Sequence, residues 1–341
     1  MPGPAPSVAQ VRAAVRTQLR QQLALGVLAP GALVLVACSG GPDSVALASQ
    51  LAFLAPRLGL RAGAVVVDHR LQQDSAGVAA AAAQVCAQLG LAPVEVCAPE
   101  PPGSAAPTEG AARAIRYAQF DSALSRTGAK AILLGHTMDD QAETVLLALA
   151  RGSGTRSLAG MAPVRGPFWR PLLQVPRSST HAACAALGLP VYTDPTNAAD
   201  GPWRRADDGP PPRAAIRDLV IPVLTEALGV DPTPALARTA RLARADADLL
   251  ADLADLGERR CAHPDGGIDA AVLAAEPAPL RTRILRRAAI AAGVPAGELA
   301  ESHISALDAL IADWHGQGEV ALPGRITARR NYGRLVLAGA R

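Results

Sequence analysis

The sequence predicts an α/β protein: a Rossmann-like parallel sheet with helices on both faces, then a smaller, mainly helical C-terminal domain ending in a short β-hairpin. Three observations carry that prediction. Short apolar runs alternate with helix-period stretches over residues 31–152, the pattern of parallel strands joined by crossover helices. Past residue 152 the alternation stops and helical periodicity takes over. The chain has 341 residues, 50% of them hydrophobic, which is enough for two domains with a core each.

Each element has its own signal. Residues 8–23 place Val8, Val11, Val15, Leu19 and Leu23 on one helical face and Arg12, Arg16 and Arg20 on another. LVLVAC (33–38) is a buried-strand run, SGGPDS a tight loop, and VALASQLAFLAPRLG (45–59) a helix. AGAVVVDH (62–69) and PVEVCA (93–98) are further strands, with a helix at 77–90 between them. A Pro-rich loop (99–107) leads to a helix at 111–126, then a strand at 130–135 and a helix at 138–152. Residues 194–213 are polar and rich in Pro and Gly, so they read as a long loop. Helices follow at 214–228, 233–260, 278–292 and 301–314, the second with Leu236, Leu242, Leu249, Leu250 and Leu253 expected on its inner side. The runs GEVALPG and RITARRNYGRLVLAG close the chain as strands.

Composition excludes several classes. No apolar run approaches the roughly 20 residues of a membrane span, and the N-terminus carries no basic-then-apolar leader, so a cytoplasmic protein without membrane attachment is expected. Five cysteines are scattered without a C-x-x-C pair and six histidines without an H-x-x-x-H pair, which argues against a protein-built metal cage. Of 33 Lys+Arg, Lys130 is the single lysine. The excess of arginine has a physical consequence, because its planar fork grips phosphate and carboxylate.

SGGPDS, Ser39 to Ser44, lies at a strand-to-helix junction. Gly40 and Gly41 allow a tight turn that exposes backbone N–H groups, and the helix beginning near Asp43 adds an N-terminus that favours an anion. Ser39 and Ser44 can donate to phosphate oxygens. Asp43 would repel a phosphate, so a magnesium ion between the two is the natural reading. The loop lacks the ending of a Walker motif and the spacing of G-x-G-x-x-G.

The hexapeptide resembles the PP-loop of the N-type ATP pyrophosphatases, with their adenine nucleotide alpha hydrolase-like fold. That family cleaves ATP to AMP and diphosphate to activate a carbonyl oxygen as its adenylate. Further segments are similar to bacterial tRNA(Ile)-lysidine synthases: VDHRLQ (67–72), EGAARAIRY (109–117), LLGHTMDDQAETVLLALARGSG (133–154), GM-x-P (160–163), RPLL (170–173), GLP (188–190), DPTN (194–197) and, more weakly, LPGRITARR (322–330). The resemblance implies ATP and Mg2+ as cofactors and L-lysine and a CAU-anticodon tRNA(Ile) as partners, with a homodimer as a further implication. The product would be lysidine at C2 of the wobble cytidine. It divides the chain into an amphipathic lead-in (1–30), a PP-loop catalytic domain (31–225) and a small tRNA-binding domain (226–341).

Candidate roles follow. Ser39 to Ser44 and Asp68 line the ATP site, with His69 ending the same strand and Asp43 as the metal ligand. Asp140 and Glu143 are three apart on one helix face. They would hold the lysine ammonium, and one of them would take its proton. His136 would touch phosphate or the leaving diphosphate, and Arg113, with Arg116, the diphosphate or tRNA phosphates. Arg204, Arg205, Arg213 and Arg217 cluster at the long loop, and Arg325, Arg329, Arg330, Arg334 and Arg341 form an acid-free basic tail. Both clusters are expected on tRNA backbone, with Tyr332 or Trp203 free to stack on a base. Where the family runs R-N-R-I-R, this chain has RAAIR (213–217), which leaves only Arg213 and Arg217 to carry that segment's role. Two rivals remain: a cytidine-thiolating relative, disfavoured by the missing C-x-x-C pairs, and a non-catalytic adenine-nucleotide sensor.

Overall fold

The computed structural model describes residues 3–339, apart from 69, 71–73, 100–108, 153, 195–197, 202, 205–207 and 265. His69, Arg205 and Arg341 therefore lie outside the described residues, as does the Glu109 side chain. Two compact units are present, residues 1–242 and 243–341.

In the first unit the elements are α1 (Pro6–Ala24), β1 (Leu33–Ala37), α2 (Pro42–Leu54), β2 (Arg61–Val67), α3 (Ser75–Gln88), β3 (Val94–Cys97), α4 (Glu109–Thr127), β4 (Ala131–Leu133) and α5 (Met138–Ala150). There follow α6 (Thr155–Leu158), β5 (Val164–Arg165), β6 (Phe168–Trp169), α7 (Arg177–Ala186), α8 (Pro212–Ala215) and α9 (Ile221–Leu228). The sheet runs β3-β2-β1-β4-β6-β5. All its pairs are parallel except β5 with β6. The chain lays β2 and β3 on one side of β1, then crosses to β4 on the other. The topological switch point therefore lies between β1 and β4, where such sheets bind their ligands at the strands' carboxyl ends.

Period-2 alternation sends strand side chains to two cores. Val34, Val36, Ala64, Val66 and Leu133 face one, filled by α1, α2, α3 and α7. Leu33, Leu35, Val65, Ile132 and Leu134 face the other, closed by Phe120 and Ala123 of α4 and by Phe168. The amphipathic face of α1 is used as its spacing requires, with Val8, Val11, Val15 and Leu19 buried in the first core.

Between α8 and α9, residues Ile216–Val220 are π-helical. Pro222 has no N–H to give the carbonyl four residues back, and the Ile221 N–H reaches five residues back to Ile216 instead. The next helix, α10 (Thr233–Cys261), leads into the second unit, with β7 (Ile268–Asp269), α11 (Ala270–Ala274), α12 (Ala278–Ala291), α13 (Glu301–Ala312), β8 (Val320–Leu322), β9 (Ile326–Asn331) and β10 (Arg334–Gly339). The expected hairpin, β9 with β10, is the centre of an antiparallel sheet ordered β7-β10-β9-β8.

One expectation is reversed. On α10 the small residues Ala237, Ala240, Ala254 and Cys261 are buried and Leu236 and Leu250 half-buried, while Leu242, Leu249 and Leu253 are exposed together with Leu256. Alanines let the helix approach its neighbours closely, and the leucine stripe is left on the other side. Among the described residues no single helix is long and apolar enough to cross a membrane.

Candidate active site

The carboxyl ends of β1 and β4 bring the two chemical segments together. Gly40 turns the loop with φ +84°, a conformation glycine adopts without steric cost, and Gly41 caps α2 with Pro42 at its first position. The loop is held from inside: Ser39 N–H donates to Ser44 Oγ at 3.1 Å, and Ser44 Oγ–H donates to Gly41 O at 2.8 Å. Tyr192 N–H donates to Gly40 O at 2.9 Å. Gly135, at the end of β4, makes room for this loop: a Cβ there would stand 3.2 Å from the Asp43 carbonyl and the Ser44 Cα.

Asp43, on the first turn of α2, receives a hydrogen bond from Thr180 Oγ1–H and lies 3.5 Å from Arg177 Nε. Arg177 organises the site, and no sequence motif marks it. Its Nη2 lies 2.8 Å from Asp140 Oδ1 and 3.4 Å from Glu143 Oε1, and its backbone N–H donates to Asp139 Oδ2 at 2.8 Å. Arg217, on the π-helical segment, donates to Glu143 Oε1 at 2.8 Å. Asp140 also closes the capping box of α5, accepting from Thr137 N–H at 2.7 Å and from its hydroxyl at 2.9 Å.

These surroundings separate the carboxylates. Burial pushes the Asp140 pKa up, but Arg177, His136 and the Thr137 donors overcome it, and the carboxyl titrates below its ordinary value. Glu143 is fully buried and its Oε2 has no partner. Burial first, then the charge of Asp140, raises its pKa against the opposing pull of Arg217 and Arg177. Burial also raises Asp43, aided by Asp140 and opposed by Thr180 and Arg177. Burial disfavours the charge of Arg177, yet Asp140, Glu143, Asp43 and Asp139 raise its pKa above the ordinary arginine value. His136 is driven down to about 4, by burial first and then by Arg170, Arg113 and Arg213 against Asp140.

The other candidates are placed as follows. Asp68 is buried at the end of β2, its Oδ1 accepting from Arg70 N–H at 3.0 Å. Arg113 donates to Tyr117 Oη at 3.2 Å. Arg204 is exposed and donates to Ala199 O. Arg325 and Arg329 are exposed, whereas Arg330 donates to Leu310 O at 3.1 Å and stacks over Trp314, capping the end of α13. Tyr332 is 95% exposed at the tip of the β9–β10 turn. Gln141, from the motif on α5, clamps Met161 with bonds of 2.8 and 3.0 Å and so serves the fold. The five cysteines are buried and unbridged.

Among the described residues no group of three His, Cys, Asp or Glu side chains could hold a metal. The Asp43 carboxyl, 24% exposed beside the loop, suits a different kind of ion. Magnesium is commonly bound by one or two carboxylates together with substrate phosphates.

Comparison with known proteins supports both units. A PP-loop domain family matches residues 12–223, and a TilS substrate binding domain family matches residues 268–336. The tRNA(Ile)-lysidine synthase of Thermobifida fusca is 48% identical, over 99% of this chain and 99% of its own. That of Streptomyces coelicolor is 49% identical, over 98% and 99% respectively. Among solved structures, the U34-tRNA thiolase NcsA from Methanococcus maripaludis, with its [4Fe-4S] cluster, superposes with a TM-score of 0.55 at 16% identity. It covers 70% of this chain and 79% of its own, a likeness of fold.

Proposed function

The chain belongs to the tRNA(Ile)-lysidine synthase family of ATP-dependent PP-loop ligases, and from that premise we propose how its residues divide the reaction. The reaction joins free L-lysine to C2 of the wobble cytidine in CAU-anticodon tRNA(Ile), with ATP cleaved to AMP and diphosphate. The C2 carbonyl oxygen attacks the α-phosphorus and the bond to the diphosphate breaks. The lysine ε-amine then adds at C2, AMP departs with that oxygen, and the amine gives up a proton.

The observation that carries the assignment is a cluster of three carboxylates, Asp43, Asp140 and Glu143, paired with two guanidinium groups, Arg177 and Arg217. A site that holds these cations suits an alkylammonium. Asp140, with its lowered pKa, stays ionised and fixes the ammonium. Glu143, raised and with Oε2 unpartnered, takes the proton, since neighbouring carboxylates driven apart in pKa divide into anion and base. Arg217 leaves Glu143 as lysine enters, and Arg177 holds the remaining carboxylates in place. The SGGPDS loop and the N-terminus of α2 receive ATP phosphates, and Asp68 lines the nucleotide side. Asp43 would hold magnesium, which supplies charge neutralisation on the phosphates.

Incubation with ATP, labelled lysine and CAU-anticodon tRNA tests the reading: lysine-dependent AMP release with label in the tRNA is expected. Failure of label to enter the tRNA removes it. Working on tRNA, the enzyme acts in the cytoplasm.

The homodimer finds its support on α10. Leu242, Leu249, Leu253 and Leu256 are exposed and fall within about 60° of one another at 100° per residue. Exposed Arg238 and Arg241 stand before the stripe, exposed Asp246, Asp248 and Asp252 flank it, and exposed Arg259 and Arg260 follow it. Two antiparallel copies would cover each stripe with the other, the symmetry of an isologous pair. Sedimentation should show a dimer that Leu249→Asp converts to monomer; a monomeric wild type at micromolar concentration would dismiss this arrangement.

A further inference from the structure

Arg170, the first residue of the RPLL segment, has no part in the chemistry above, and its environment is unusual. It is 3% exposed and rigidly held. Its Nη1 donates to Ala162 O at 2.9 Å and its Nη2 to Tyr117 Oη at 3.0 Å. The same hydroxyl accepts from Arg113 at 3.2 Å, and the Arg113 guanidinium lies 4.9 Å from the Tyr117 ring centroid. One phenol oxygen thus gathers two guanidinium groups. Phe120 and Phe168 pack edge-on against that ring.

Among the described residues no carboxylate pairs with Arg170, and its buried Nε has no partner. A buried guanidinium without a counter-charge is costly, and an unmet donor adds to the cost. His136 stands beside it: Leu134 N–H bonds Trp169 O at 2.8 Å, so His136 and Arg170 leave the adjacent ends of β4 and β6 together. The buried Nδ1 of His136 also has no partner. Burial lowers both groups: at Arg170 Arg113 and Arg165 add to it against Tyr117, and at His136 Arg170, Arg113 and Arg213 add to it against Asp140. The excess positive charge and the two unmet polar atoms are complementary to an anion.

β6 lies two strands from β1, roughly 10 Å at the ordinary strand spacing. Arg170 therefore stands apart from the loop that receives ATP phosphates, with His136, next to Gly135 where β4 meets that loop, between the two. We propose that Arg170, with Arg113 and His136, forms a phosphate subsite for the RNA backbone next to the reacting cytidine. The inference rests on the synthase reading and adds a contact that fixes the second substrate.

A double-mutant cycle tests it on the full-length protein. Binding of a CAU-anticodon stem-loop RNA is measured with ordinary phosphates and with a neutral methylphosphonate on either side of the wobble cytidine. One methylphosphonate should weaken wild-type binding by roughly ten- to a hundredfold and cost nothing further in Arg170→Gln. Tyr117→Phe keeps the ring packing and removes the shared acceptor, and should show part of the same coupling if the buried Arg170→Gln fails to fold. Fully additive effects in the variant that folds would overturn the proposal, because a structural arginine weakens both RNAs alike. A changed inhibition constant for inorganic diphosphate without RNA coupling would overturn it in favour of an ATP phosphate. Lysidine formation by the wild type without coupling removes this inference alone; absence of lysidine formation removes the synthase reading.

Discussion

Glu143 and Asp140 show how neighbouring carboxylates on one helix acquire different tasks. Glu143→Gln keeps the shape and the hydrogen bond from Arg217 but has no proton affinity in the working range. Lysine transfer should slow by roughly 10²–10⁴-fold, the usual worth of a general base, with lysine-independent adenylation close to wild type. An unchanged transfer rate would assign the proton elsewhere. Because the Glu143 pKa is raised, the acid limb of the wild-type transfer profile should lie above the ordinary glutamate range. His136 offers a second check through its pKa of about 4 against a reference of 6.5. The unfolded chain takes up the proton below 6.5 while the folded chain resists until about 4, so this residue removes stability as pH falls across that interval. NMR of the imidazole should show no titration between pH 5.5 and 8 in the ligand-free protein. A midpoint near 6.5 would contradict the burial argument.

At the scale of elements, the site depends on how closely β4 approaches the start of α2. Gly135→Ala would place a methyl group 3.2 Å from the backbone of Asp43 and Ser44, tighter than an ordinary contact. The loop must give by a few tenths of an ångström, so adenylation should fall by at least tenfold, the scale expected when reacting groups are misplaced, while the melting temperature drops only modestly. Equal activity would mean that the loop tolerates the shift. Element-level signals were also what the sequence displayed best. Strands with a continuous apolar run and helices with a clear period, such as α1 and α5, could be read directly. Two-residue strands such as β5, β6 and β7 carry too few side chains for any period to register. Arg177 was hidden for a related reason: it lies over 30 residues from Asp140 in sequence, and nothing local marks a guanidinium whose partners come from other elements. On α10 the period is legible but its phase is not, because leucine ordinarily marks the inward side and here alanine occupies it.

For the whole molecule, the basic tail is not one uniform surface. Arg330 is spent on the carbonyls that end α13, so removing it would disturb the second unit's fold as well as its charge. Arg329 and Tyr332 are exposed and offer a cleaner probe. Arg329→Ala with Tyr332→Ala should weaken tRNA binding severalfold and reduce the salt dependence by about one counter-ion, with the melting temperature held; unchanged filter binding and salt slope would take this turn out of the tRNA interface. The chain-wide scarcity of lysine bears on the chemistry as well. Lys130, exposed, precedes β4, at the end of that strand away from the carboxylates, and the cations gathered around the reactive centre are arginines. A guanidinium stays protonated at physiological pH, so it can neutralise carboxylates without offering a lone pair to an activated cytidine. A primary amine at Arg177 would be a tethered rival to the amino acid substrate, able to bond the enzyme to its own RNA. The guanidinium leaves the free amino acid as the nucleophile at hand.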